Sequence, residues 1–168
     1  MKTLHSLSEQ LGGLLAKQQQ ILASAESCTG GGVAHWVTEV AGSSAGFDRS
    51  FVTYSNEAKQ EMLRVRQATL QQFGAVSEQT VEEMALGALL HSRATLAASI
   101  SGIAGPGGGR VEKPIGTVCF GFASVQVWLK VETSHFAGGR EQVRQQAIAH
   151  VLQSLIEHLA TDQVQNVN

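Results

Sequence analysis

The chain has 168 residues, a formal net charge of −2 at pH 7 and 43% hydrophobic residues. This length suits one domain with a substantial core, and the near-neutral charge excludes an extended basic surface for nucleic acid. The two cysteines, Cys28 and Cys119, supply neither a disulfide framework nor the spacing of a metal site. No apolar run reaches the length of a membrane span, and the first residues lack a signal-peptide core. We therefore expect a soluble cytoplasmic domain with no membrane or nucleic-acid partner.

The first half of the chain predicts alternating helices and strands. Apolar residues recur at helical spacing in some segments and form short uninterrupted runs in others. The predicted elements are a helix with a Ser6–Glu9 capping box, a strand over residues 21–25, a helix over 33–40, a strand over 47–54, a helix capped at Ser55 or Asn56 and a helix capped at Ser77.

The second half predicts a strand over residues 96–100, a glycine-rich loop, and a hairpin of strands over 116–123 and 125–136. In the second hairpin strand the residues Val127, Leu129 and Val131 alternate with polar or larger residues, as on a half-solvated strand. A last helix starts after Gly138-Gly139. The fold class predicted is α/β, with a mixed sheet between helical layers. We expect a single domain over residues 1–160 and a disordered tail over 161–168, which is polar and lacks periodicity.

The turn after the first predicted strand contains the candidate nucleophile. Residues 25–32 read Ala-Glu-Ser-Cys-Thr-Gly-Gly-Gly, and this segment would hold Ser27 at the end of a sheet beside free backbone N–H groups. The geometry suits a serine nucleophile with an oxyanion hole, or a phosphate cradle. Cys28 is a rival because a helix N-terminus can acidify a thiol. Two alternatives stay open, a helix-capping role for Ser27 and a buried structural role for Cys28.

A serine hydroxyl needs a neighbouring base. The six histidines lie mostly within helical patterns, so Lys59 is the better candidate, because burial lowers the pKa of a lysine and allows it to accept a proton. Tyr54, at the end of the second predicted strand, could share or relay that proton. The alternative makes Tyr54 an edge aromatic residue and Lys59 a solvated helix residue.

The loop 101–109 contains five glycines and a proline, and such a loop can present several N–H groups to an anion. It has neither the Walker A ending nor the Gly-x-Gly-x-x-Gly pattern, and a mobile surface loop is the alternative. Arg140, at the start of the last predicted helix, could pair with a phosphate through two N–H groups. Arg144, one turn later, is expected to be its solvated neighbour.

These segments together resemble the C-terminal domain family of the competence/damage-inducible protein CinA, whose single-domain bacterial members are nicotinamide-nucleotide amidases. No single motif is specific, but seven of them occur in the family's order across nearly the whole chain. The matching segments are residues 25–31, 41–44, 53–59, 74–77, 101–106, 113–118 and 136–144.

The resemblance implies a homodimeric α/β/α sandwich that requires no metal or other cofactor. It also implies hydrolysis of nicotinamide mononucleotide to nicotinic acid mononucleotide and ammonia, a step of pyridine-nucleotide salvage. Ser27 would be the nucleophile, with Tyr54 and Lys59 as its activating partners. The implied substrate-binding residues are Thr29, Gly30 and Gly31 at the oxyanion, and Ser44, Ser101, Gly102, Gly105 and Arg140 around the nucleotide.

Two other functions stay open. One is a non-catalytic nucleotide-binding or regulatory member of the same family, although such a relic would be expected to lose at least one of Ser27, Tyr54 and Lys59. The other is a serine–lysine amidase or peptidase with a different substrate. The glycine-rich loop and Arg140 disfavour a peptide, because they suit a phosphate.

Overall fold

The structure of the protein is a computed structural model that describes residues 2–165. The helices are α1 Leu4–Gln18, α2 Gly32–Thr38, α3 Asn56–Leu63, α4 Gln67–Phe73, α5 Glu78–Leu90 and α6 Arg140–Gln165, with a short 3-10 helix at Ser43–Ala45. The strands are β1 Leu22–Glu26, β2 Phe47–Val52, β3 Leu96–Gly102, β4 Thr117–Ser124 and β5 Trp128–His135. None of the helices within this range is long and apolar enough to cross a membrane.

The five strands form one mixed sheet in the order β2-β1-β3-β4-β5. Strands β2, β1 and β3 are parallel, while β4 and β5 form an antiparallel hairpin beside β3. One face of the sheet packs against α1, α2 and α6, and the other packs against α3, α4 and α5. The predicted α/β/α sandwich with a mixed sheet is therefore confirmed.

The topology brings the carboxyl ends of the three parallel strands to one edge of the sheet. From β1 the chain passes to β2 on one side of β1, and then returns to form β3 on the other side of β1. In open α/β sheets, ligands bind in the crevice beside such a reversal of strand order. Residues 27, 53 and 101 all lie at this edge.

Three local expectations need correction. The first helix begins earlier than the capping box predicts. The Thr3 hydroxyl accepts the Ser6 N–H, so Thr3 is the N-cap and the helix begins at Leu4. Helix α4 was missed, since its sequence has little apolar periodicity. In β5 it is Trp128 that turns inward, stacking against His158, while Leu129 is half exposed.

The last helix continues to Gln165, past the predicted boundary at residue 160. Buried apolar side chains continue along it as far as Leu159, and the Thr161 hydroxyl donates to the Glu157 carbonyl in the turn that follows. Residues 166–168 of the predicted tail lie outside the described range. The single-domain boundary itself stays a prediction.

Candidate active site

The candidate nucleophile lies at the carboxyl end of β1, in the tight turn that leads into α2. The Ser27 N–H donates to the Ile100 carbonyl of β3 at 3.0 Å, and the Gly30 N–H donates back to the Ser27 carbonyl at 3.0 Å. Gly30 and Gly31 have φ angles of 59° and 97°, in the left-handed region that favours glycine. The paired glycines therefore allow the chain to turn directly behind Ser27.

The parallel register places Ser27 between two other hydroxyl side chains. Glu26, the residue before Ser27, pairs with Val52 of β2 and with Ile100 of β3. The next residues along those strands, Thr53 and Ser101, therefore lie on either side of Ser27. Ser101 is buried and lines the same cavity as Ser27. The Thr53 hydroxyl oxygen is buried and has no hydrogen-bond partner among the described residues. The carboxyl edge of the sheet thus presents a row of hydroxyl groups.

Helix α3 brings a lysine to this row. The Ser55 hydroxyl accepts the Ala58 N–H and starts the helix, as predicted. Lys59 is 1% exposed, and its Nζ lies 3.1 Å from Ser27 Oγ. The same amine donates to the backbone carbonyls of Thr53 at 2.9 Å and Tyr54 at 3.2 Å. The two carbonyls can only accept hydrogen bonds, whereas the Ser27 hydroxyl can accept one from an ammonium or donate one to the lone pair of a neutral amine.

The electrostatic surroundings favour the neutral amine. Burial lowers the pKa of Lys59 from its ordinary value of 10.5, and the nearby Cys28 opposes this effect more weakly. None of the ion pairs among the described residues includes Lys59. A buried lysine without an acidic partner is the type of lysine that can serve as a base.

Cys28 borders the same cavity as Ser27 but also packs into the hydrophobic core. It belongs to the hydrophobic core on the α1, α2 and α6 side of the sheet, with 6% exposure. Burial raises the pKa of its thiol to about 11. The reactive thiolate is therefore scarce at neutral pH, and Cys28 is the weaker candidate nucleophile.

A cavity of about 200 Å³ opens beside the serine–lysine pair. Its lining residues are Ser27, Cys28, Tyr54, Asn56, Lys59, Ala75, Val76, Ser101, Gly102, Ala104 and Arg140. A larger cleft of about 410 Å³ lies between α1 and α2, but it contains none of these residues. We place the site at the smaller cavity because Ser27 and Lys59 meet there at the carboxyl ends of the parallel strands. Another hydroxyl–base pair, Thr117 and His135 Nδ1 at 3.2 Å, lines a cavity of about 510 Å³, but the Thr117 hydroxyl has the Pro114 carbonyl as its acceptor at 2.6 Å. Sequence reasoning did not assign Asn56, Ala75, Val76 and Ala104 to the site, although all four lie within the matching segments, because their side chains offer no acid, base or nucleophile.

Arg140 and Tyr54 contact each other at the mouth of this cavity. Arg140 Nη2 donates to the Tyr54 hydroxyl at 3.1 Å, and Nη1 donates to the Gly105 carbonyl at 2.8 Å. The phenol is largely exposed and makes no hydrogen bond to Ser27 or Lys59 in the described structure. The predicted proton relay through Tyr54 is therefore absent from this conformation. Tyr54 contacts the lysine through its backbone carbonyl instead.

Ser44 is not part of this site. It lies in the 3-10 helix before β2 and is exposed. The six residues of β2 separate it from the carboxyl edge of the sheet, a distance of roughly 20 Å at about 3.3 Å per residue. The prediction for Ser44, which came from the family resemblance, does not hold within one copy of the chain, because residues 43–45 precede β2 and so lie at its amino end.

Thr29, Gly30 and Gly31 support the turn and do not line the cavity. The Thr29 hydroxyl donates to the Glu26 carboxylate at 2.6 Å, and the Thr29 carbonyl accepts from Arg144 Nη2 at 3.3 Å. Arg144 is therefore not a solvated neighbour of Arg140, and its Nε is buried without a partner in the described part of the chain. The N–H groups of Thr29 and Gly31 make no hydrogen bond within that part.

Sequence reasoning also missed Glu26, which is fully buried at the end of β1. The available signal was a single carboxylate in a strand whose other residues are small or apolar. As for metals, the described residues contain no group of three or more His, Cys, Asp or Glu side chains that could hold an ion.

The fold and the site define an α/β/α domain with a buried serine–lysine pair at the carboxyl edge of a mixed sheet, an arrangement suited to nucleophilic chemistry. Residues 4–159 match the CinA C-terminal domain, and the chain belongs to this family. The resemblance drawn from the sequence motifs is confirmed.

Relatives of known name resemble the chain along most of their length. It is 55% identical over 152 residues to the nicotinamide-nucleotide amidohydrolase PncC of Escherichia coli K12, covering 90% of this chain and 92% of that protein. It is 53% identical over 155 residues to the protein of the same name from Enterobacter agglomerans, covering 92% and 94%.

Solved structures share the fold. The competence/damage-inducible protein CihA from Agrobacterium tumefaciens superposes with a TM-score of 0.90 at 41% identity, covering 94% of this chain and 98% of that one. A CinA superfamily protein from Klebsiella pneumoniae gives a TM-score of 0.91 at 38% identity, covering 95% and 99%.

Proposed function

We propose that this chain is a nicotinamide-nucleotide amidohydrolase, which converts nicotinamide mononucleotide and water to nicotinic acid mononucleotide and ammonia in pyridine-nucleotide salvage. The names of its relatives at 53% and 55% identity support the reaction class. The observation that carries the chemistry is the buried amine of Lys59, 3.1 Å from Ser27 Oγ and without an acidic partner in the described structure.

In the first step, Ser27 Oγ attacks the carboxamide carbon while neutral Lys59 accepts the hydroxyl proton. The pyridinium charge of the substrate makes that carbon more electrophilic. The N–H groups of Gly30 and Gly32 are used within the turn, so those of Cys28, Thr29 and Gly31 are the candidates for holding the oxyanion. Of these three residues Cys28, directly after the nucleophile, lines the cavity. The resulting tetrahedral intermediate has one C–O bond to Ser27.

In the second step, the C–N bond breaks as the Lys59 ammonium returns its proton to the departing nitrogen, and ammonia leaves. Water then enters, Lys59 accepts one of its protons, and the oxygen attacks the acyl carbon. Collapse of the second intermediate returns the proton to Ser27 Oγ and releases the carboxylic acid, which gives its remaining proton to the solvent. In this scheme Lys59 is the base in both half-reactions.

The size of the cavity suggests how the substrate lies. Its volume of about 200 Å³ is below the range of about 300–1,000 Å³ typical of sites that enclose a drug-sized ligand. We infer that the cavity holds the nicotinamide ring and that the ribose and phosphate extend to its mouth, where Arg140 lies. Remote binding of the phosphate would then orient the amide on Ser27.

The direct test is ammonia release from nicotinamide, its riboside, its mononucleotide and the dinucleotide, with glutamine as a carboxamide that lacks the ring. We expect the mononucleotide to be turned over most efficiently and glutamine to give no ammonia. Saturable binding of the mononucleotide without ammonia release would instead favour a non-catalytic nucleotide-binding protein. Homodimerisation and a cytoplasmic location stay predictions, and light scattering tests the first.

A further inference from the structure

The Glu26 carboxylate lies at the centre of a buried hydrogen-bond network behind the nucleophile. Glu26 is the last residue of β1 and has 0% exposure. Its Oε1 accepts the Thr29 hydroxyl at 2.6 Å and the Val33 N–H at 2.9 Å. Its Oε2 accepts the Ala34 N–H at 3.1 Å and lies 3.0 Å from the hydroxyl oxygens of Ser24 on β1 and Ser50 on β2. Those two hydroxyls are 2.7 Å apart, so their two protons are shared between Oε2 and the contact that joins them.

These donors come from every segment that surrounds the nucleophile turn. Ser24 belongs to β1, Ser50 belongs to β2, Thr29 lies within the turn, and the two N–H groups come from the first turn of α2. The partial positive charge of the helix N-terminus also favours a carboxylate at this place. Because all five contacts converge on one side chain, the turn that carries Ser27 is fixed at both of its ends.

Glu26 does not touch the candidate substrate cavity. Successive residues of a strand point to opposite faces of the sheet, so Glu26 faces α2 while Ser27 faces α3. It is also absent from the lining of the cavity. Glu26 can therefore act on the reaction through the geometry of the turn or through its charge, which raises the pKa of the neighbouring Cys28. The two routes differ in whether the pH midpoint of the reaction moves when the charge is removed.

We infer that Glu26 is a positioning residue for the proposed amidohydrolase reaction. Its carboxylate keeps Ser27 Oγ opposite Lys59 Nζ and keeps the free N–H groups of the turn aimed at the oxyanion. The expected loss of kcat rests on the proposed function. The expected role of Glu26 in ordering the turn does not depend on that function.

An amide cannot replace this carboxylate. The two backbone donors, from Val33 and Ala34, bind different oxygens of Glu26. In Glu26→Gln one of those oxygens becomes an NH₂ group, so in either orientation of the amide a donor faces a backbone donor. The variant keeps the size of the side chain but must displace either the start of α2 or the turn.

The experiment compares Glu26→Gln with Val37→Ala, a variant that loses a buried core contact in the same helix but leaves the turn's hydrogen bonds in place. Both are assayed below their unfolding temperatures with nicotinamide mononucleotide. A displacement of about 1 Å at a reacting group can cost roughly 100-fold in rate, so we expect kcat of Glu26→Gln to fall by about that factor with KM nearly unchanged. The pH midpoint set by Lys59 should not move. Val37→Ala should keep kcat within about twofold.

Amide hydrogen exchange supplies a readout that needs no turnover. Exchange over residues 27–32 should accelerate in Glu26→Gln but not in Val37→Ala. If wild type releases no ammonia, the proposed function fails, and the exchange result alone decides whether Glu26 orders the turn. Normal kcat in folded Glu26→Gln, or unchanged exchange in the turn, overturns the inference. Should this variant not fold, Thr29→Val removes one of the contacts with little change of shape, and we expect about a tenfold loss of kcat from it.

Discussion

Replacing Lys59 tests whether the buried amine is the base. Lys59→Met keeps most of the apolar stem and removes the amine that lies 3.1 Å from Ser27 Oγ. Loss of a general base lowers rates by about 10²- to 10⁴-fold, and we expect kcat/KM for ammonia release from nicotinamide mononucleotide to fall within that range. Lys59→Arg should be nearly as damaging, because a guanidinium keeps the charge but cannot supply a neutral base.

The pH dependence of kcat/KM tests whether Lys59 acts in its neutral form. Burial lowers the pKa of Lys59, so the amine loses its proton below the ordinary value of 10.5. Below the lowered pKa the ammonium cannot accept the serine proton, and kcat/KM of wild type should rise as pH rises through it. This rising limb should be missing from both variants. An active Lys59→Arg enzyme with an unchanged pH profile would refute the role of Lys59 as base.

The same pKa predicts a pH-dependent difference in stability. Between the folded pKa and 10.5 the unfolded chain binds a proton at Lys59 that the folded chain lacks. Stability of wild type relative to Lys59→Met should therefore rise with pH across this window, by at most about 1.4 kcal/mol per pH unit. Below the window, the cost of burying the ammonium is fully present, and the relative stability should be lowest and constant. Urea denaturation at several pH values measures this difference. A difference that does not change with pH would contradict a lowered pKa.

Three further substitutions test other parts of the site and its support. Arg140→Ala should lower kcat/KM for the mononucleotide by roughly 10- to 150-fold, the effect of losing one charge-assisted contact, and should barely change kcat/KM for the riboside. Equal losses on both substrates would contradict the assignment of Arg140 to the phosphate. Tyr54→Phe should lower kcat/KM only about two- to tenfold, because the Tyr54 hydroxyl contacts Arg140 and not Ser27 or Lys59. A loss of roughly 100-fold or more would instead support a proton relay through Tyr54. In Gly87→Ala the new Cβ would collide with the Leu63 carbonyl oxygen at the end of α3, so thermal unfolding should reveal a loss of about 1–3 kcal/mol, and an unchanged stability would contradict the tight packing of α5 on α3.

Hydrophobic patterning predicted the α/β/α fold because buried strands and amphipathic helices have different periods. It also supports the grouping of Ser27, Lys59 and Ser101, since the carboxyl ends of parallel strands meet at one edge of a sheet. Local spacing does not specify where a side chain points after a strand ends. The direction of the Tyr54 phenol was therefore missed, and so was the contact between the Thr29 hydroxyl and the Glu26 carboxylate.

Two other features depend on tertiary structure. Ser44 belongs to a small-residue motif and precedes β2 in the chain, so its loop joins the amino end of that strand; the parallel pairing of β1 and β2 then places it at the opposite end of the sheet from Ser27. Glu26 reads as an ordinary charged residue until the structure brings Ser50 and the start of α2 to its carboxylate. Networks between segments distant in sequence leave no local pattern.

The central claim is that Ser27, and not the adjacent Cys28, is the nucleophile. The most direct measurement is ammonia release from nicotinamide mononucleotide by wild type, Ser27→Ala and Cys28→Ala, with folding checked by thermal unfolding. We predict that Ser27→Ala loses turnover and keeps its stability to within about 1 kcal/mol, the contribution of a capping hydroxyl. Cys28→Ala should keep its activity, because its thiol is buried with a pKa raised to about 11. An active Ser27→Ala enzyme, or an inactive but folded Cys28→Ala enzyme, would contradict the assignment.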